Sequence, residues 1–153
     1  EEAIAAHVGE LVEDGATLQF GYGGIPDAVA RQLRHKRDLG IHTEMIGSGI
    51  LDLIESGAVT NRRKNWLPGK MVATFALGDR RLYRFLDRNP AMEMHPADFT
   101  NDPCLAGRND RLVAINATLQ VDLLGQCGSE SFGAIPYSGS GGQLDFVRAA
   151  NRS

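Results

Sequence analysis

Short apolar runs that end on glycine and open into amphipathic stretches recur along this chain, and that alternation restricts the fold more than any other feature. Thr17-Leu18-Gln19-Phe20 leads into Gly21-Tyr22-Gly23-Gly24-Ile25-Pro26, and residues 27–37 read as the helix behind it. Pro26 suits a first helical position, where a missing N–H costs nothing, and Asp27 places negative charge in the first turn. Ile41-His42-Thr43-Glu44-Met45 repeats the pattern. It is followed by Gly47-Ser48-Gly49 and a helix marked by Ile50, Leu51, Leu53 and Ile54 that stops at Gly57. Met71-Val72-Ala73-Thr74-Phe75, a turn at Gly78 and a helix marked by Leu82, Phe85 and Leu86 form a third unit. Such alternation predicts an α/β fold, with an open, mostly parallel sheet and flanking helices forming one domain over residues 1–153.

Other segments fit around these units. Ile4, Val8, Leu11 and Val12 predict a helix over 3–14, with Gly15 at its end. Residues 58–69 read as a loop, Asn89-Pro90 and Asn101-Asp102-Pro103 as turns, and Arg111 to Asp122 as strand-rich. Gly125 to Gly142 is dense in glycine and serine, and Gln143 to Ala150 predicts a closing helix.

Charge and composition exclude several classes. The net charge is −3 with no basic face, so a nucleic-acid partner is not expected. The runs Arg34–Arg37 and Arg62–Lys64 read as solvated helix ends. Cys104 and Cys127 form no C-x-x-C pattern, and the four histidines form no H-E-x-x-H pattern, so the expectation is two reduced thiols and no metal. No apolar run approaches the roughly 20 residues of a membrane span. A soluble, cytoplasmic protein is the expectation.

In parallel sheets, ligands sit beyond the carboxyl ends of the strands. That rule singles out the loops at 21–26, 44–49 and 138–142. Glu44 stands at the end of a strand that should be largely buried, where a carboxylate is either paired or functional; the plainer alternative is a water-exposed strand end. His42 reads as a packed or hydrogen-bonded histidine. Gly21–Pro26 can turn backbone N–H groups toward an anion at a helix N-terminus, or can simply be a tight turn. Tyr137-Ser138-Gly139-Ser140-Gly141-Gly142-Gln143 allows close backbone approach to a ligand just before a helix. No G-x-S-x-G elbow accompanies its serines.

Taken together, LQFGYGGIPDAV (18–29), DLGIHTEMIGSGILDLIESGAVTN (38–61), GKMVATFALG (69–78), LYRFLDRNP (82–90), FTNDP (99–103), INATLQVDLLGQ (115–126) and YSGSGGQLDFVRAA (137–150) resemble the acetyl-CoA hydrolase/transferase family. The resemblance implies a class I CoA-transferase-like fold, related to the sugar-phosphate isomerase fold. It implies transfer of CoA between a short-chain acyl-CoA and a carboxylic acid such as acetate, through a glutamyl-CoA thioester. It places the nucleophile on Glu44 and oxyanion or CoA contacts on Gly139, Ser140, Gly141 and Gly142. The substrate or CoA pocket falls on Gly21, Gly23, Gly24, Pro26 and Asn101. Coenzyme A and acyl-CoA enter as substrates, with no permanently bound cofactor. An acyl-CoA hydrolase using the same residues and a non-catalytic CoA- or nucleotide-binding module remain the alternatives. Members of the family are longer, so the resemblance also implies an incomplete C-terminal domain, a preceding N-terminal domain and a homo-oligomer. Where many members have Ser-Asp-Gly, this chain has Gly47-Ser48-Gly49.

Overall fold

The computed structural model describes all residues from 1 to 153. In chain order the first half comprises α1 (Glu2–Leu11), β1 (Thr17–Phe20), α2 (Gly24–Gln32), a 3-10 turn (Leu33–His35), β2 (Gly40–Ile41), β3 (Met45–Gly47) and α3 (Ser48–Glu55). Then come β4 (Met71–Ala73), β5 (Phe75–Leu77), α4 (Arg80–Leu86), β6 (Met92–Met94), α5 (Ala97–Thr100), α6 (Pro103–Ala106) and β7 (Leu112–Ile115). The last part holds β8 (Gln120–Val121), β9 (Cys127–Gly128), β10 (Ser131–Phe132), β11 (Ile135–Pro136) and α7 (Gln143–Ala150).

The centre is parallel, as the alternation requires. β1 lies between β2 and β7, in register Thr17 to Gly40 and Thr17 to Leu112. A parallel bridge from His42 to Val72 joins β4 to this sheet, and β4 pairs in parallel with β6. Successive side chains take opposite faces. Leu18, Phe20, Ile41 and Ile115 pack with Ala28, Val29, Leu33, Ile50, Leu51 and Leu53 of the α2–α3 layer, the larger core. Full burial of each large aliphatic side chain contributes roughly 1.5–3 kcal/mol. On the other face Leu112 packs with Ala106, Phe146 and Ala149 of α6 and α7.

The sequence-expected strand 41–45 is interrupted. Between β2 and β3 the carbonyl of Glu44 accepts from two successive amides, Thr74 N at 2.8 Å and Phe75 N at 3.1 Å. His42 with Val72 and Met45 with Phe75 keep one register, so no residue is inserted; the ladder lapses between them and parts the neighbouring expected strand 71–75 into β4 and β5 as well. Beyond the break, β3 and β5 pair again in parallel, Met45 with Phe75 and Gly47 with Leu77.

Lys64 departs from its expected solvated position. It is 4% exposed and donates from Nζ to Ile41 O (3.1 Å) and Lys70 O (2.7 Å). Asn61 Oδ1 accepts from Ile41 N at 2.9 Å. The loop 58–69 thus satisfies with side chains the strand groups of Ile41, as buried backbone requires. Arg34 and Arg62 do lie at the surface, paired with Asp52 and Asp38.

Residues 117–137, expected to be strand-rich and then irregular, form two short antiparallel ladders, β8 with β9 and β10 with β11. No helix is long and apolar enough to cross a membrane.

Candidate active site

Glu44 and the glycine-rich loop before α7 meet, although 98 positions separate Glu44 from Gly142. Glu44 Oε2 accepts from the Gly142 N–H at 2.8 Å. Residues two apart on a strand share a face, so His42 and Glu44 both turn toward the α7 layer. His42 is fully buried, bonded through Nε2 to Thr100 O at 2.9 Å and edge-on to Phe146. Burial lowers its pKa to about 4, so it is neutral at pH 7. Thr43 ties the other side of the break to β1: its hydroxyl lies 3.2 Å from Phe20 N, 3.1 Å from Phe20 O and 3.1 Å from Met45 O.

A side chain at 142 would displace its neighbours. A Cβ there would lie 2.6 Å from Glu44 Oε2 and 2.7 Å from Asn101 Nδ2. Gly142 is also the N-cap of α7, whose unpaired amides favour negative charge in front of them. Asn101 Oδ1 is buried without a hydrogen-bond partner beside this contact, and so is Thr74 Oγ1. Orphaned polar atoms in a native fold call for an explanation, and a ligand-binding site supplies one.

Glu44 and Gly142 border a cavity of about 440 Å³, with Asn101 and Thr74 outside its lining. Its wall includes Glu44, the stretch from Tyr137 to Gln143, and Gly21. All four expected oxyanion residues, Gly139, Ser140, Gly141 and Gly142, therefore share the wall with Glu44. The expected pocket loop divides. Gly21 borders the cavity, whereas Gly23, Gly24 and Pro26 turn away into the start of α2, with Pro26 buried and Gly24 against the Glu1 carboxylate. Asn101 reaches the site through Gly142 from behind the wall. The turn Gly47–Gly49 does not border the cavity. Ser48 Oγ accepts from Asp79 N at 3.0 Å, and a side chain at Gly49 would collide with Asp27.

Sequence reasoning passed over Gln19 and Asn116, which also line the cavity. The signal was present, since Gln19 is the long polar side chain inside the buried strand Thr17–Phe20. Tyr22, Phe75, Leu119 and Glu130 complete much of the wall.

Glu44 and the N-terminal glycine of α7 thus meet at the carboxyl edge of a parallel α/β sheet, the edge at which such sheets bind ligands. Residues 78–153 match the acetyl-CoA hydrolase/transferase C-terminal domain. The chain is 61% identical, over its full length, to 35% of the succinyl-CoA:cyclohexane-1-carboxylate CoA transferase of Geobacter metallireducens. It is 48% identical, again over its full length, to 36% of the 4-hydroxybutyrate coenzyme A transferase of Clostridium kluyveri. The crystal structure of RipA from Yersinia pestis superposes with a TM-score of 0.93 at 48% identity, over 100% of this chain and 35% of that one. The chain belongs to the acetyl-CoA hydrolase/transferase family, and it spans about a third of the length of these relatives.

Proposed function

We propose that this chain carries the nucleophile of a CoA-transferase that moves CoA between a short-chain acyl-CoA and a carboxylic acid, with Glu44 as the reacting group. The contact between Glu44 Oε2 and the Gly142 N–H carries this reading, because it puts a carboxylate and a preorganised donor at one point of the cavity. The names of the relatives support it: they are CoA transferases of succinyl, 4-hydroxybutyryl and cyclohexanecarboxyl groups. Because those relatives are about three times as long, we assign the remaining walls of the site to a further domain of the same polypeptide or to a second copy. Coenzyme A is a substrate in this scheme, and the cytoplasm is the compartment we expect.

The chemistry follows from the groups. The Glu44 carboxylate attacks the thioester carbonyl, and the tetrahedral oxyanion collapses to an acyl-glutamyl anhydride with release of CoA thiolate. The thiolate attacks the glutamyl carbonyl, leaving a glutamyl-CoA thioester and freeing the first acid. A second carboxylate attacks that thioester, and the released thiolate takes the new acyl group while Glu44 returns to a carboxylate. Each step passes through an oxyanion, and one well-placed N–H is worth about 10²–10³ in rate. We assign that role to the backbone of Gly139–Gly142, the Gly142 N–H first.

The test is peptide-mapping mass spectrometry of the full-length protein after incubation with a short acyl-CoA. A CoA-sized adduct on the Glu44 peptide, lost in Glu44→Gln and Glu44→Asp, is the expected result. Gln is a poor nucleophile and Asp falls one methylene short. Full turnover by Glu44→Gln would remove Glu44 from the mechanism. Dependence of product on the acceptor acid separates transfer from hydrolysis.

A further inference from the structure

Gln19 and Asn116 form a reciprocal amide pair in the cavity wall: Gln19 Nε2 donates to Asn116 Oδ1 at 3.0 Å and Asn116 Nδ2 donates to Gln19 Oε1 at 2.8 Å. Gln19 is 3% exposed, a costly position for an amide that serves packing alone. The pair uses one donor and one acceptor of each amide, and each keeps a second N–H and a second lone pair.

The register places this pair relative to Glu44. Leu18 is opposite Ile41, and Phe20 is opposite Ile115. One step beyond Phe20 and Ile115, Gly21 stands opposite Asn116, with Gly21 N donating to Ile115 O at 2.7 Å. Glu44, Gly21 and Asn116 therefore follow one another across three neighbouring strands at the carboxyl edge, and Gln19 lies one pleat below Gly21 on the same face. The middle position has no side chain, and a Cβ there would lie 3.0 Å from Asn116 Oδ1. The result is a trough from Glu44 to Asn116 about two strand spacings, or roughly 10 Å, across. No lysine, arginine or histidine borders it, while Glu44 and Glu130 do. This chain supplies no cation at the Asn116 end.

We propose that Gln19 and Asn116 bind a neutral hydrogen-bonding group of the substrate that stands four bonds from the reacting carbonyl. Two groups have this chemistry and this reach. One is the first amide of the pantetheine arm, reached through the thioester sulfur and two methylenes. The other is a hydroxyl at the end of a four-carbon acyl chain. With the carbonyl against Glu44, either one arrives at the amide pair once Gly21 leaves the way open. The inference rests on Glu44 being the nucleophile.

The experiment uses the double variant Gln19→Leu/Asn116→Leu of the full-length protein. Replacing both partners by apolar groups of similar shape leaves no orphaned amide and spares the fold, which a melting curve checks. The rate of the adduct on Glu44 is measured for wild type and variant with three thioesters. They are butyryl-CoA, butyryl-CoA built on an analogue whose first pantetheine amide is replaced by two methylenes, and 4-hydroxybutyryl-CoA. Loss of the hydrogen bonds slows the variant by roughly tenfold to a hundredfold where the recognised group is present. A penalty that vanishes with the methylene analogue identifies the pantetheine amide. A penalty that appears only with the hydroxylated chain identifies the acyl hydroxyl. An equal penalty on all three thioesters, or none, overturns the proposal. A wild type that forms no Glu44 adduct overturns the transferase reading beneath it.

Discussion

Gly142 sits against both Glu44 and Asn101, and the demand on it is spatial. Its φ of −92° is open to any residue, so alanine meets no backbone penalty there. The added methyl would occupy space 2.6 Å from Glu44 Oε2 and 2.7 Å from Asn101 Nδ2. Either the carboxylate or the amide must move, and the Gly142 N–H loses its line to Glu44 Oε2. Gly142→Ala is expected to fold and to lower the rate of adduct formation on Glu44 by about 10²–10³, the loss typical of a missing oxyanion donor. Single-turnover kinetics with a short acyl-CoA measures it. A rate within a fewfold of wild type would detach Gly142 from the chemistry. Both partners of this contact were legible in the sequence as residue types: a carboxylate on a buried strand, and glycines crowded before a helix. Of the missed residues, Gln19 was signalled by its polar side chain inside a buried strand, whereas Asn116 carries no label until Gln19 faces it.

At the level of elements, Glu44 stands in the break between β2 and β3, and Thr43 ties that break to β1. Its hydroxyl is within 3.1–3.2 Å of Phe20 N, Phe20 O and Met45 O in a fully buried position. Thr43→Val keeps the shape and deletes those bonds, and each buried group left unpaired costs about 1–3 kcal/mol. Urea melts should show a destabilisation of about that size, with Thr43→Ser close to wild type because the hydroxyl remains. Unchanged stability in the valine variant would mean that the Thr74 and Phe75 amides alone hold the break. The strand itself was readable from its place before a glycine turn and a helix, but its interruption was not. The break depends on two amides of another strand converging on one carbonyl, and nothing within residues 41–45 encodes that. For a related reason β6, α5 and α6 escaped the periodicity argument. Each has only three or four residues, too few to display a period.

Across the whole molecule, the parallel-sheet rule named three loops at the carboxyl edge, and the structure gathers parts of them around one cavity. Glu44, Gly21 and the loop 138–142 share one cavity, while Gly23, Gly24, Pro26 and the turn 47–49 fold away from it. Loop composition announces that a turn is tight, whereas the direction of each residue in it depends on how the following helix packs. The same global packing buries two basic side chains, and they set how stability should vary with pH. Burial lowers the His42 pKa from 6.5 to about 4, and it lowers that of Lys64 from 10.5 to about 7. In both cases the unfolded chain binds more protons between the two values, so stability rises with pH inside each window. His42 therefore removes stability as pH falls from about 6.5 toward 4 and contributes no slope above that. Lys64 adds stability as pH rises from about 7 toward 10.5, and below about 7 it is protonated in both states. A tenfold change in proton affinity corresponds to about 1.4 kcal/mol. Urea melts at pH 5, 7 and 9 should show stability climbing at both steps. The upper step should flatten in Lys64→Met, which keeps the buried stem but cannot titrate, while the lower step persists. An upper step that survives the methionine substitution would mean that Lys64 stays charged against the carbonyls of Ile41 and Lys70, and that the edge of the sheet holds a buried cation.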